Sequence, residues 1–384
     1  MSKEEITVHF CESIKNISST DWNNCAGNYN PFLKHEFLVA LEESGCVRKE
    51  NGWQPYHIIA KNNKSEVIGC TPMYLKYHSQ GEYIFDYAWA DAYQKAGGQY
   101  YPKLLVAVPF TPVPGERFLT KKQNNNEIIK LKMLEKALEI LEQLNLSSFN
   151  INFLYKEDLL LAKKSNLLIR IGEQFHWKNN DYKCFDNFLS DLSSRKRKAI
   201  KKERLKSVYS GINIQRILGK DLKTEHWDAF YKFYIDTSNR KWGNAYLNRE
   251  FFEIISKNMK NEILLIMAKK NDEWIAGALN FIGSKCLYGR YWGCIKDYDS
   301  LHFEVCYYQA IDFAIENNLN TVEAGAQGLH KLNRGYLPVK TYSAHWVNNI
   351  SFREAISNYL KVERNSVIEE ISIIDSHSPF KKEK

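Results

Sequence analysis

The stretch 263-ILLIMAKKNDEWIAGALNFI-282 decides the reading of the chain. Two apolar runs flank a Lys/Asn/Asp tract, the pattern of a β-hairpin. The same pattern stands earlier, in 56-YHIIAKNNKSEVIGCTPMYL-75. The spacing agrees as well: Ala60 and Gly69 lie nine positions apart, and so do Ala268 and Gly277. Outward from each hairpin the likeness continues. Ile128, Leu131, Leu134, Leu138 and Leu141 recur at helical steps, as do Phe303, Tyr307, Ile311 and Ala314. Strand-like segments follow both helices, 148-SFNINFLY-155 and 321-TVEAGA-326. Each half reads as hairpin, extended segment, helix, strand. The expected fold class is α/β (α+β), with mixed sheets flanked by helices.

At roughly 150 residues per domain, 384 residues make two. The expected division is 1–180 and 181–384, with the boundary at 178-KNNDYK-183, where apolar periodicity stops. The halves differ at 78–118, a segment dense in Tyr, Trp, Phe, Gly and Pro that is expected to be a loop-like insertion lining a cleft. Glu82, Asp86 and Asp91 lie there among aromatic rings. They suit a cationic amine, or merely decorate the rim of an aromatic cluster. Past the boundary, Phe185, Phe188, Leu189 and Leu192 mark a short amphipathic helix, and Ser193 or Ser194 starts a second one. The tail 374–384 is polar and expected to fray.

Composition narrows the classes. Twenty Phe, 23 Tyr and nine Trp argue against a disordered chain. The longest apolar runs fall far short of the ~20 residues a membrane span needs. Fifty-three Lys and Arg against 45 Asp and Glu give +8, most of it in 195-RKRKAIKKERLK-206. There Arg195, Lys196, Arg197 and Lys198 open a run that fits RNA, a phosphorylated cofactor, an anionic membrane surface, or simply a solvated helix face. The eight cysteines form no CxxC. With the acidic, signal-free start MSKEEITVHF, they lead us to expect a cytoplasmic protein with reduced thiols.

P-loop, Rossmann, HExxH and GxSxG motifs are all missing, and His302-x-Glu304 lacks the cysteines of a zinc deaminase, so no metal is expected. What remains is 323-EAGAQGLHKLNRGYLP-338. Glu323, Gln327, His330, Lys331 and Arg334 follow a strand end among three glycines, a common ligand position in α/β folds. Glu323 would accept a proton while the cations hold an anion; the alternative is a solvated turn. His302 and Glu304, in the first turn of the next candidate helix, suit an anion or simply stabilise the helix start.

Six stretches then point to a family. They are 80-QGEYIFDYAWADAY-93, 101-YPKLLVAVPFTPVPG-115, 173-EQFHWKN-179, 194-SRKRKAIKKER-204, 301-LHFEVCYYQ-309 and 323-EAGAQGLHKLNRGYLPVKTYSAHW-346. Together they resemble the FemAB-like family of GNAT-type N-acyltransferases and peptidoglycan biosynthesis/recognition proteins, over about 30–363. The resemblance implies two tandem GNAT-like acyltransferase domains. In the better-understood relatives, an amino acid passes from aminoacyl-tRNA to an amine on a cell-wall precursor. Two departures stand out: the second half carries no long heptad insertion, and Leu329 occupies the place of an acid between Gly328 and His330.

The expected function is therefore transfer of an acyl or aminoacyl group onto an amine. Glu323 would be base or amine orienter, His330, Lys331 and Arg334 would hold phosphates or the oxyanion, and Tyr336 or Tyr342 would protonate the leaving group. Acyl-CoA or aminoacyl-tRNA would serve as co-substrate, with no tightly bound cofactor. The acceptor would be a small molecule or a peptidoglycan precursor. Partners would include tRNA and, transiently, an anionic membrane surface. The alternatives are a non-catalytic protein of the same fold that binds peptidoglycan fragments or another anionic ligand, and a general RNA binder.

Overall fold

The computed structural model describes residues 5–122, 126–242, 244–325 and 328–381. The chain forms two compact units, Met1–Gly172 with Lys340–Glu369, and Glu173–Val339 with Glu370–Lys384. The crossings fall inside the strands Leu168–Lys178 and Leu337–Val347 and the helix Ile350–Ser376. The segment 340–369 thus packs with the first unit, where the sequence suggested one boundary near 178–183. A strand has the same apolar pattern on both sides of such a crossing, so composition does not mark it.

In the first unit the strands Thr7–Cys11, His57–Lys61, Val67–Thr71 and Leu119–Thr120 form an antiparallel sheet. The polar tract between the central two is a turn: Asn62 Oδ1 accepts from the Lys64 and Glu66 N–H groups, both at 3.0 Å. Pro72 ends that strand and the chain continues as Met73–Lys76, which pairs with Trp53–Pro55 and with Lys103–Val106. Lys103–Val106 runs parallel to Ser148–Ile151, and the helix Asn126–Gln143 makes the crossover between them. This helix buries Ile129, Met133, Leu134, Ala137, Ile140 and Leu141. Ile128 and Leu131, expected on the buried stripe, are exposed. At 3.6 residues per turn, Ile128 and Leu141 lie about 140° apart around the helix, so one stripe cannot hold both. The segment 78–118 is more than a loop: it holds the helix Tyr87–Lys95 and the fully buried strand Lys103–Val106.

The second unit repeats the plan. Ile263–Lys270 and Glu273–Ile282 form the hairpin, closed by Asn271 and Asp272 at φ 47° and 63°, as a two-residue hairpin turn requires. Ile263 to Ala268 are buried without alternation, because both faces of the strand are covered. Cys286–Cys294 follows antiparallel, then runs parallel to Thr321–Glu323. The crossover passes through Leu301–Phe303, a π-helical turn at Glu304–Tyr308, and Gln309–Glu316. The wider turn lets the adjacent Tyr307 and Tyr308 both point into the core.

The tail does not fray through Lys381. Phe380 packs on Phe188, and the Ser193 N–H donates to the Pro379 carbonyl at 2.9 Å. No helix among the described residues is long and apolar enough to cross a membrane.

Candidate functional site

In the second unit the strand Cys286–Cys294 keeps parallel register with Thr321–Glu323 for three residues, and the ladder stops at Tyr288 and Glu323. On its other side a β-bulge shifts register, with Leu279 opposite Tyr291 but Asn280 opposite Gly289, so Arg290 is the extra residue. Parallel strands that part beside a bulge leave backbone groups that a ligand can pair with.

Glu323 ends its strand at this point. Arg290 donates to its carboxylate at 3.4 Å, with both side chains nearly sealed from solvent at 2% and 7% exposure. His176 sits opposite Glu323 in the antiparallel ladder. Burial, and then the positive charges of Arg290, Lys331 and Lys178, push its pKa down to about 3, so it is neutral. Lys331 Nζ donates to the Gly325 carbonyl at 2.9 Å. Burial first, and Arg290 second, push this ammonium down to about 7. A lysine poised near neutral pH beside an ion pair can give and take a proton. Gly325 holds φ +81°, and a side chain there would meet open space, so the backbone is accessible at this corner.

One residue away the character changes. His330 is exposed and exchanges a hydrogen bond with the Tyr307 hydroxyl at 2.9 Å, beside the rings of His302 and Phe303. Arg334 lays its guanidinium 3.3 Å from the centre of the Phe303 ring and donates to Glu203 at 2.8 Å. Tyr308 donates to the same Glu203. Glu203 belongs to the basic helix Ser194–Tyr209, whose Lys196 also bonds the Asn333 side chain. The basic helix and the loop Leu329–Arg334 are thereby tied together. Gly335 closes that loop at φ +85°, pressed on Phe188, where a Cβ would lie 2.8 Å from the ring.

The FemAB-like family, described as peptidoglycan biosynthesis/recognition, matches residues 13–382. The chain belongs to the FemAB-like family. Among solved structures it resembles FemX, at 13% identity over 92% of this chain and 100% of that one, with a TM-score of 0.53. It also resembles L-PGS from Bacillus licheniformis, at 10% identity over 87% and 98%, with a TM-score of 0.51. A tandem GNAT protein from the clavulanic acid biosynthesis pathway matches at 8% identity over 90% and 99%, with a TM-score of 0.49. Among curated proteins, none matches the chain by sequence. At these identities the likenesses to FemX and L-PGS speak for the fold alone, the α/β class that the sequence suggested, here in two compact units.

The remaining candidates of this FemAB-like chain fall in different places. Gln327 lies outside the described residues. Glu304 is buried and held by Arg204 at 3.1 Å and by Gln309 at 2.8 Å, away from His330; burial raises its carboxyl, against the pull of Arg204. His302 joins the His330 cluster. Arg195 and Lys198 are exposed and Arg197 is half-buried. Tyr336 is fully enclosed behind Tyr307, and burial raises its hydroxyl well above the usual range. It supports the site and has no path to a leaving group.

Glu82 and Asp86 lie in the first unit and are sealed rather than lining a cleft. Lys103 Nζ bonds both, reaching Glu82 at 2.9 Å. Burial raises Glu82 to about 7; burial is also the largest effect at Asp86, but there Lys103 and the hydrogen bonds from Ser79 and Tyr100 together outweigh it and keep the carboxyl low. The basic partner sits in an apolar run, 103-KLLVAVPF-110, which is why the acids alone read as a ligand surface. Arg290, His176, Tyr307 and Glu203 escaped the sequence reading. The available signal was a lone arginine in the apolar strand 286-CLYGRYWGC-294.

Proposed function

We propose that this protein is an N-acyltransferase that moves an acyl or aminoacyl group from a CoA or tRNA donor to an amine, with a peptidoglycan precursor as the acceptor class. The observation that carries this reading is Lys331, buried, half-titrated near neutral pH and bonded to the Gly325 carbonyl at the strand parting beside Arg290–Glu323. Glu323 orients the acceptor N–H. The amine nitrogen attacks the donor carbonyl carbon, and its proton passes to neutral Lys331. The donor's C–O or C–S bond then breaks, and the leaving group takes the proton back. Main-chain N–H groups at the parting polarise the carbonyl. His330 and the exposed Arg195 and Lys198 hold the donor's phosphates, while the buried Arg334, paired with Glu203, fixes the loop that carries His330.

Mass spectrometry of an amine-bearing muropeptide, incubated with the purified chain and acyl-CoA or aminoacyl-tRNA, tests the reading. Transfer should occur with one donor and fall at least a hundredfold in Lys331→Met. A thermal shift with muropeptides, and no transfer with either donor, would favour a binding protein of the same fold.

A further inference from the structure

The first unit holds a surface cavity of about 610 Å³ that no part of this chemistry uses. Its volume lies within the ~300–1,000 Å³ of small-molecule sites. It sits before the first residues of the parallel strands, between Tyr101 and Pro102, which lead into Lys103–Val106, and Leu146 and Ser147, which lead into Ser148–Ile151. We propose that this cavity binds a neutral saccharide.

The lining chemistry selects the ligand. Four residues with carboxamide side chains, Gln99, Asn145, Asn348 and Asn349, line the space together with Tyr93 and Tyr101. Among the described residues, no lysine, arginine, aspartate or glutamate lines it. An anion would find no cation to pair with. A wholly apolar ligand would strip water from the carboxamides and return nothing. A sugar hydroxyl both donates and accepts, and so does a carboxamide. The half-exposed Leu144 with Pro102 offers apolar surface to the C–H face of a pyranose ring.

The walls are set before any ligand arrives. The Tyr93 ring lies 4.7 Å from Phe352 and 6.2 Å from Tyr100. Gly98 lies flat against it, since a Cβ there would come within 2.4 Å of the ring. The Tyr101 hydroxyl bonds Ser79 at 2.6 Å, and Asn349 Oδ1 accepts from the Phe352 N–H at 2.9 Å. The Asn348 N–H donates to the Ser147 carbonyl at 2.9 Å. By contrast the side-chain amides of Gln99, Asn145 and Asn348 and the Tyr93 hydroxyl have no protein hydrogen-bond partner among the described residues. The frame is fixed and these polar tips remain for a ligand, an arrangement that lowers the ordering cost of binding.

Two neutral probes, chitotriose and cellotriose, titrated into the full chain by calorimetry and saturation-transfer NMR, test this. At least one should bind, with a Kd on the order of 1 mM. The double variant Gln99→Ala/Asn348→Ala, whose lost side chains bond nothing among the described residues, should weaken binding at least tenfold with Tm unchanged. Lys331→Met should leave the affinity as it is, which separates this site from the proposed transferase site. Failure of both probes to bind, or binding indifferent to the double variant, overturns the proposal.

Discussion

Lys331 and Arg290 repel one another in the second unit, and that repulsion adds to burial in bringing the lysine down to about 7. Arg290 is in turn neutralised by Glu323 at 3.4 Å. The relationship predicts how the stability of the protein responds to pH. In the unfolded chain Lys331 titrates near 10.5. Between pH 7 and 10.5 the unfolded state therefore binds more protons, and stability contributed by this group rises with pH across that window. Below pH 7 the burial penalty is felt in full. Lys331→Met should raise stability at pH 6, by on the order of 1–3 kcal/mol, with the gain shrinking as pH approaches 10. Urea denaturation at several pH values reads this directly.

Acid lability should come from two histidines, one in each unit. His176 and His345 are both held neutral down to about 3, chiefly by burial. Their unfolded forms protonate near 6.5. As pH falls below 6.5 the unfolded state takes up protons that the folded state refuses, so stability drops. The variant His176→Gln/His345→Gln should flatten the urea midpoint between pH 6.5 and 4.

The buried charges of the first unit should behave as a single structural device. Removing Lys103 leaves Glu82 and Asp86 in a sealed site with their cation gone. Lys103→Met should cost ~3–5 kcal/mol, the range for breaking a buried pair. Lys103→Met/Asp86→Asn/Glu82→Gln should recover a large part of the loss. Equal destabilisation of the single and triple variants would show that the charges do not interact.

Gly69 faces the crossover helix of the first unit. A Cβ there would stand 2.8 Å from Ile129 Cγ2 and 3.1 Å from Met133 Sδ. Gly69→Val should overpack the core and cost about 1–3 kcal/mol. Gly69→Val/Met133→Ala should restore a part of it.

The hairpins were legible in the sequence because a polar tract between apolar runs has one easy solution, a turn, and Asn271 and Asp272 tolerate positive φ. The crossover helices were legible as helices, but the buried side of Asn126–Gln143 was not. Ile128 and Leu131 are as apolar as Ile129 and Met133, and it is the tertiary packing, including the close approach of Gly69 to Ile129 and Met133, that sets which pair faces inward. At the site, Glu323, His330, Lys331 and Arg334 stood out as a polar cluster after a strand. Their division into a buried corner around Lys331 and an aromatic–cation cluster that joins the exposed His330 to the buried Arg334 depends on Arg290 and Tyr307. These come from other strands and helices, at sequence separations of 33 and 23 residues from Glu323 and His330. Glu82 and Asp86 misled because their partner Lys103 looked like one more residue of an apolar strand.

In the proposed reaction Lys331 carries the transferred proton. The most direct measurement is the pH dependence of kcat/KM for acyl transfer to a muropeptide amine, for the native chain and for Lys331→Arg. The native profile should rise through an apparent pKa near 7, and the variant should lose that limb together with at least a hundredfold in rate. A variant with the native profile and rate would contradict it.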